Sequence, residues 1–241
     1  MLNSSFVLIV NPSLILNNQV VNSHRQQQDL VPRLDVTDRF LEGIKELIER
    51  DRHLAEIIDA FGYPPSWNRE PGFATLIRII LEQQVSYTSA KAAFKRLNAA
   101  VENLSPESFM TLDDGELKAV GFSRQKTRYG RELARSIIDR QLDLEKLSEL
   151  DDRTIKQELT KIKGIGDWTV DIYLMMALQR LDVFPAKDLA VAIAVKEIKN
   201  LPQRPKAAEL EAIAESWKPY RAIATKILWH YYLNRKSSRN K

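Results

Sequence analysis

The stretch that decides the fold runs from Leu159 to Ala190 and reads LTKIKGIGDWTVDIYLMMALQRLDVFPAKDLA. It contains an apolar helix end, a turn that alternates glycine with isoleucine, and a second helix with apolar periodicity. Gly164 and Gly166 allow positive φ angles and the close approach of another backbone. Because the second helix directs its free N–H groups and the positive end of its dipole out of the turn, the turn is predicted to bind an anion, typically a phosphate.

A lone carboxylate, Asp188, follows this turn at a distance of 20 residues from Trp168 and lies just past Pro185. No histidine, serine or metal ligand accompanies it at motif spacing, which suits a reaction that needs electrostatic stabilisation more than proton transfer. A helix is predicted to begin at Leu189, so the positive end of its dipole faces Asp188. Alternatively, Asp188 is a helix N-cap and nothing more, worth about 1 kcal/mol.

The glycine turn alone equally fits an ordinary tight connection between two helices. In combination, Gly164-Ile165-Gly166-Asp167-Trp168-Thr169, Val183-Phe184-Pro185 and Asp188 are far more specific. They resemble the helix-hairpin-helix base-excision DNA glycosylases, and among these the DNA-3-methyladenine glycosylase II branch, over residues 71–229. The chain resembles a short form that lacks the N-terminal sheet domain of larger bacterial members.

The resemblance implies an all-α fold of two lobes with DNA across the cleft between them. Residues 71–182 would form the middle lobe with the hairpin, and residues 36–70 plus 183–241 would form the lobe that carries Asp188. In accord, no stretch alternates in the manner of strands, and Ser105 and Asp151 are predicted to start helices. Residues 1–35, rich in Asn, Gln and Ser, are predicted to be a poorly ordered extension.

Composition excludes several classes of protein. The 241 residues are 44% hydrophobic and contain no cysteine, which rules out a disulfide scaffold and the four-cysteine iron–sulfur cluster of some family members. The net charge of +4 indicates nucleic-acid binding only weakly, because the C-terminal seven residues carry an equal excess of positive charge. We expect no organic cofactor, no membrane span, a monomer, and a cytoplasmic location in a bacterium or a nuclear one in a eukaryote.

The chemistry that the resemblance implies is hydrolysis of the N-glycosidic bond of alkylated purines such as 3-methyladenine and 7-methylguanine. Bifunctional members keep a lysine where Trp168 stands, so release of the base would leave an abasic site without a lyase step. Lys163 and Lys187 lie nearby in sequence. Asp188 would be the catalytic residue. Aromatic side chains attract cationic bases, and the base pocket would be formed by Trp168, Trp229, Tyr220 and Ile172, the last of which stands where larger bacterial members have a pocket tyrosine. Alternatively, Trp229 and Tyr220 are ordinary core residues of an amphipathic helix. For Trp217 a position in the core is the favoured interpretation.

Damaged double-stranded DNA is the implied partner. Gln84 would fill the space that a flipped base leaves, and Arg124 would probe the opposite strand, although a basic helix face is more often simply solvated. The DNA-binding residues would be Gln83, Gln84, Ser86, Arg124, Lys126, Lys163, Gly164, Gly166, Trp168 and Thr169. One monovalent or hard divalent cation would bind the backbone carbonyls of Thr160, Ile162 and Gly164.

Two rival functions remain open at this level. One is a DNA-binding module without enzymatic activity, which would have no need of Asp188. The other is a glycosylase of the same fold that acts on an oxidised, deaminated or mismatched base, because the specificity of a pocket depends on side-chain placement.

Overall fold

Helices make up the regular structure of residues 36–238, the part of the chain that the computed structural model describes. This part contains twelve α-helices, two short 3-10 helices and no strand, which confirms the predicted all-α fold. The α-helices are α1 Val36–Arg50, α2 Arg52–Phe61, α3 Phe73–Glu82, α4 Tyr87–Ala100, α5 Pro106–Thr111, α6 Asp114–Val120, α7 Arg124–Ile138, α8 Asp152–Thr160, α9 Asp167–Met176, α10 Leu189–Ile198, α11 Ala207–Ala214 and α12 Arg221–Ser238. The 3-10 helices are Lys146–Glu149 and Glu215–Trp217.

Capping side chains set the starts of several helices. Ser105 forms a capping box with Ser108 at the start of α5, and Asp151 accepts a hydrogen bond from the Thr154 backbone N–H at the start of α8. Both predicted helix starts are therefore confirmed. Each cap satisfies an N–H group that the helix leaves free, which stabilises the helix by about 1 kcal/mol.

Two clusters of apolar side chains form the interior. The first core cluster centres on α3 and α9, where Leu76, Ile77, Ile80, Val170 and Tyr173 are fully buried. Side chains of α7 and α8 complete it, so the helices that flank the glycine turn are anchored in this cluster. The burial follows from the sequence, because seven of the ten residues of α3 are buried and no single polar face is left.

The second core cluster joins α1, α2, α10 and α12. Its interior includes Leu54, Val191 and Ile227, together with Trp217, which is 0% exposed. The Trp217 indole N–H donates to Asp51 Oδ2 at 2.9 Å, and Lys199 Nζ donates to the same oxygen at 3.0 Å. This buried carboxylate thereby ties α2 to the chain segments that follow α10 and α11.

Helix α12 and the connection between α2 and α3 join the two clusters. Ala222 of α12 packs in the first cluster, whereas Ile223 and Leu228 pack in the second, and Trp229 contacts both. In the connection, the Arg69 backbone N–H donates to the Met176 carbonyl at 2.8 Å. The two clusters are thus joined by the packing of α12 and by the hydrogen bond from Arg69 to Met176.

No described helix combines the length and the apolar character that are needed to cross a membrane. The poorly ordered extension predicted for residues 1–35 lies outside the described residues.

The Asp51 contacts predict an acid-dependent contribution to stability. Burial raises the pKa of Asp51, but the hydrogen bonds from Trp217 and Lys199 outweigh burial and hold the pKa below its ordinary value of 3.8. A lowered pKa stabilises the fold above the ordinary pKa, and this contribution is lost as the pH falls through the folded-state value. Asp51→Asn should lower the free energy of unfolding by about 1–3 kcal/mol at neutral pH, measured by urea denaturation.

The difference between Asp51→Asn and the native chain should shrink when the pH is lowered well below 3.8. Asp59→Asn is the matched control, because Asp59 lies exposed on the same helix. An equal loss of stability in both variants, or a difference that is independent of pH, would contradict the role assigned to Asp51.

Candidate active site

Apolar side chains anchor the glycine turn between α8 and α9 in the protein interior. Ile162 and Ile165 are buried in the first core cluster, and the Ile165 N–H donates to the Ile162 carbonyl at 3.0 Å. Gly164 has a φ of 96°, and a Cβ atom at this position would lie 2.0 Å from the Tyr129 ring. The turn therefore needs a glycine at this position for two independent reasons, its φ angle and the packing of an aromatic ring against its Cα.

The N-terminus of α9 faces solvent at the end of this turn. Gly166 is its exposed N-cap and supplies no side-chain acceptor for the first N–H groups. Lys163 lies exposed in the same turn. The negative charge of Asp167, in the first turn of α9, would repel an anion. Two lysines offset this charge, because Lys187 Nζ and Lys156 Nζ lie 2.8 and 3.3 Å from its two carboxylate oxygens. The arrangement suits binding of a phosphate, and phosphate binding here stays a prediction.

The turn between α3 and α4 is bonded directly to the hairpin. Gln83 Nε2 donates to the Gly164 carbonyl and to Thr169 Oγ1, both at 2.9 Å. Gln84 is exposed and has a φ of 55°, and Ser86 caps α4 by accepting from the Ser89 N–H. Gln83 and the buried Thr169 therefore form hydrogen bonds within the protein, whereas the Gln84 side chain is exposed to solvent.

Asp188 is buried, with 7% of its surface exposed, and is the N-cap of α10. Three N–H groups from three different helices donate to its carboxylate. Val191 N lies 2.9 Å from Oδ1, the Trp229 indole nitrogen lies 3.2 Å from Oδ1, and the Trp168 indole nitrogen lies 2.8 Å from Oδ2. The carboxylate is therefore held in one orientation by the hairpin helix and by α12.

A third tryptophan that the sequence analysis missed lies at this site. The Trp67 ring meets the Trp229 ring edge-on, with centroids 6.2 Å apart, and Trp67 has a φ of 51°. The next residue, Asn68, accepts a hydrogen bond from the buried Lys226 Nζ at 3.2 Å. Trp67 follows Pro64-Pro65, and nothing in this local sequence distinguishes it from an ordinary loop residue.

Two of the predicted pocket residues make contacts within the cores of the protein. The Tyr220 hydroxyl donates to Glu46 Oε1 at 3.1 Å, and its ring packs against Gly43 of α1. Ile172 is 2% exposed within the first core cluster. Trp217 is a core residue, as the favoured interpretation held.

Of the two basic residues predicted at the start of α7, only one projects freely. Arg124 is exposed, whereas Lys126 Nζ donates to the Leu81 carbonyl at 2.7 Å, and burial lowers its pKa. Lys126 thus joins α7 to the end of α3, directly before Gln83.

Neither lysine near the hairpin resembles an amine prepared for nucleophilic attack. Lys163 is exposed to solvent. The hydrogen bond and charge of Asp167 raise the pKa of Lys187, which favours the protonated ammonium.

Two of the three predicted cation ligands already accept hydrogen bonds. The Ile162 carbonyl accepts from Ile165, and the Gly164 carbonyl accepts from Gln83. Each carbonyl oxygen has two lone pairs, so one remains for an ion. No cluster of three or more His, Cys, Asp or Glu side chains that could hold a metal exists among the described residues.

Comparison with known proteins agrees with this geometry. Residues 77–219 match the HhH-GPD superfamily of base excision DNA repair proteins, and the chain belongs to this family. Among its relatives, DNA-3-methyladenine glycosylase 1 of Schizosaccharomyces pombe is 28% identical over 208 residues, which cover 85% of this chain and 90% of the relative. A putative DNA-3-methyladenine glycosylase of Bacillus subtilis is 27% identical over 210 residues, covering 79% of this chain and 73% of the relative.

Among solved structures, the Schizosaccharomyces pombe 3-methyladenine DNA glycosylase in complex with abasic DNA matches with a TM-score of 0.74 at 29% identity. The match covers 78% of this chain and 95% of that chain. The predicted family and two-helix hairpin are therefore confirmed.

The packing of the turn predicts unequal effects for its two glycines. Gly164→Ala should lower the free energy of unfolding by about 2–4 kcal/mol, because it adds a strained φ angle and a clash with Tyr129. Gly166→Ala should cost no more than about 1 kcal/mol, because nothing lies within 4 Å of its Cβ position and only the preference for glycine at the N-cap of α9 is lost. Denaturant unfolding of both variants measures the difference, and equal values would show that Tyr129 does not constrain the turn.

Proposed function

We propose that this protein is a monofunctional DNA glycosylase that hydrolyses the N-glycosidic bond of alkylated purines in double-stranded DNA. The observation that carries the proposal is the Asp188 carboxylate, which accepts hydrogen bonds from the Trp168 and Trp229 indoles. The relatives named DNA-3-methyladenine glycosylase support the choice of substrate.

Asp188 would act by its negative charge. As the base leaves, the deoxyribose acquires the character of an oxocarbenium cation, which a carboxylate in a fixed position stabilises. The same carboxylate orients a water molecule toward the sugar. Because no lysine stands at the position of Trp168, water attacks and the product is an abasic site in an unbroken strand.

Alkylated purines such as 3-methyladenine and 7-methylguanine carry a positive charge and are good leaving groups without protonation. Trp168, Trp229 and Trp67 offer indole surfaces that attract a cationic base by cation–π contact. Trp67 extends this aromatic surface beyond the residues that the sequence indicated.

DNA would lie across the junction of the two core clusters. The α9 N-terminus with Lys163 and Gly166 would bind a backbone phosphate, Gln84 would fill the space of the flipped base, and Arg124 would contact the opposite strand. The lobe formed by residues 71–182 would grip DNA, and the lobe formed by residues 36–70 and 183–241 would supply Asp188.

We also propose one monovalent or hard divalent cation at the carbonyls of Thr160, Ile162 and Gly164, where it would strengthen the attraction of the hairpin for phosphate. We propose no organic cofactor. The protein would act as a monomer, because one face covers a lesion, and it would work wherever the DNA of the cell is kept.

The test is release of free base from duplex DNA treated with a methylating agent. Asp188→Asn should reduce the rate of 3-methyladenine release at least about a hundredfold. Asparagine is as good an N-cap as aspartate, so the start of α10 and the fold should be preserved. Strand breaks should appear only after alkali treatment.

Four other outcomes would each redirect the proposal. Equal release by Asp188→Asn would remove Asp188 from the chemistry. Strand breaks without alkali would show a lyase step. DNA binding without release of any methylated base would favour a different damaged base, and failure to release any base at all would favour a binding module.

The indole hydrogen bond to Asp188 Oδ2 predicts a second effect. Trp168→Phe keeps an aromatic ring but removes the N–H donor, and it should lower the single-turnover rate of base release about tenfold to a hundredfold. Trp217→Phe is the matched control, because it removes the same group from a tryptophan that bonds to Asp51 instead. The control should lose stability but retain its rate, and equal rate losses would count against a direct role of Trp168.

A further inference from the structure

Three consecutive residues in the connection between α2 and α3 contact helices that carry residues of the site, and we call Trp67-Asn68-Arg69 the linking segment. Its first two residues contact α12. The Trp67 ring meets the Trp229 ring edge-on with centroids 6.2 Å apart, and the buried Lys226 ammonium donates to Asn68 Oδ1 at 3.2 Å. The linking segment therefore begins at the aromatic surface beside the candidate catalytic carboxylate.

The last residue of the linking segment, Arg69, reaches the end of α3. Arg69 Nη1 and Nη2 donate to Glu82 Oε2 and Oε1 at 2.9 and 2.7 Å, and the two side chains are only 7% and 13% exposed. Two parallel hydrogen bonds between a guanidinium and a carboxylate fix both the distance and the orientation of the groups. The Arg69 backbone N–H also donates to the Met176 carbonyl of α9 at 2.8 Å, so the residue is held at its main chain and at its side chain.

Glu82 directly precedes the turn between α3 and α4. In this turn Gln83 donates to the hairpin, and the Gln84 side chain is exposed. The pair of Arg69 and Glu82 therefore connects the aromatic surface to the turn that is proposed to enter the duplex. This connection is independent of the one that Gln83 makes between the same turn and the hairpin.

A residue with a positive φ angle lies at each end of this connection. Trp67 has a φ of 51° and lies two residues before Arg69, whereas Gln84 has a φ of 55° and lies two residues after Glu82. Residues other than glycine rarely adopt such angles, and the conformation persists where surrounding contacts enforce it. The ion pair supplies a contact of this kind between two strained positions, both of which are proposed to contact the lesion site.

We propose that Arg69 is a positioning residue that couples the Gln84 turn to the aromatic surface formed by Trp67 and Trp229. Insertion of Gln84 into the duplex and capture of the flipped base then occur as one event, because the bonds of Arg69 hold the two surfaces at a fixed separation. This inference rests on the proposed function, which places the base at the tryptophans and the plug at Gln84. A merely structural role of Arg69 affects stability without making these two sites depend on each other.

The experiment is a double-mutant cycle on the single-turnover rate of base release from a duplex that contains one 7-methylguanine. The cycle combines Trp67→Leu with Gln84→Ala, and it is repeated in a background that lacks the ion pair. That background carries Arg69→Met with Glu82→Met, because apolar replacement of both members of a buried ion pair leaves no unpaired charge and commonly preserves stability. Urea denaturation establishes that each variant is folded under the conditions of the assay.

In the native background, the combined loss of rate should be at least about threefold smaller than the product of the two single losses, because either change alone already disturbs the joint event. In the background without the ion pair, the two losses should simply multiply. Arg69→Lys is a second variant that tests the same point. It keeps the charge but not the two parallel hydrogen bonds, and it should also remove most of the coupling.

The matched control removes another arginine–carboxylate pair that joins distant segments. Arg221 Nε and Nη2 donate to the two carboxylate oxygens of Asp182 at 2.7 and 3.0 Å. In the background of Arg221→Met with Asp182→Asn, the coupling between Trp67→Leu and Gln84→Ala should equal that of the native chain. Equality is expected because this pair does not connect the aromatic surface to the turn after α3.

Losses that multiply in the native background would overturn the inference, and so would a coupling that persists without the ion pair or disappears in the control. A rate that does not respond to Gln84→Ala or to Trp67→Leu would overturn it as well, because two sites would no longer be present to couple. Base release by the native chain separates the two proposals. Release with multiplying losses removes only the role of Arg69, whereas no release removes the proposed function and this inference with it.

Discussion

The convergence of three N–H donors on Asp188 is the interaction on which the site depends. Trp168 comes from the hairpin helix α9, Trp229 from α12, and Val191 from the helix that Asp188 itself caps. A buried carboxylate is costly unless it is hydrogen-bonded, so the two core clusters must pack closely enough to bring these donors together. Changes that loosen the packing between the two clusters should therefore also disturb the geometry of the site.

In this arrangement a capping role and a catalytic role for Asp188 are compatible. The N-cap bond uses Oδ1, which also accepts from Trp229, whereas Oδ2 is held by Trp168. Capping fixes the carboxylate relative to α10, and the indoles fix it relative to the rest of the site. A carboxylate held in this way needs little reorganisation when positive charge develops nearby, which is the condition for electrostatic catalysis.

The hairpin and the turn after α3 form one unit. Gln83 joins the Gly164 carbonyl to Thr169, and the Tyr129 ring packs against Gly164. A phosphate held at α9 and a side chain inserted by Gln84 would therefore keep a constant separation. Such a fixed distance suits a protein that must grip the backbone and enter the duplex at the same lesion.

By itself, the sequence determined the helical class, the cap at Asp188 and the glycine hairpin, because periodicity, capping and motif spacing are local properties of the chain. It placed Tyr220 and Ile172 in the pocket and omitted Trp67. Only the tertiary structure decided that Tyr220 packs on α1, that Ile172 is buried in the core, and that Trp67 meets Trp229. The reason is physical: these contacts join segments distant in the chain, and their partners are chosen by the packing of whole helices.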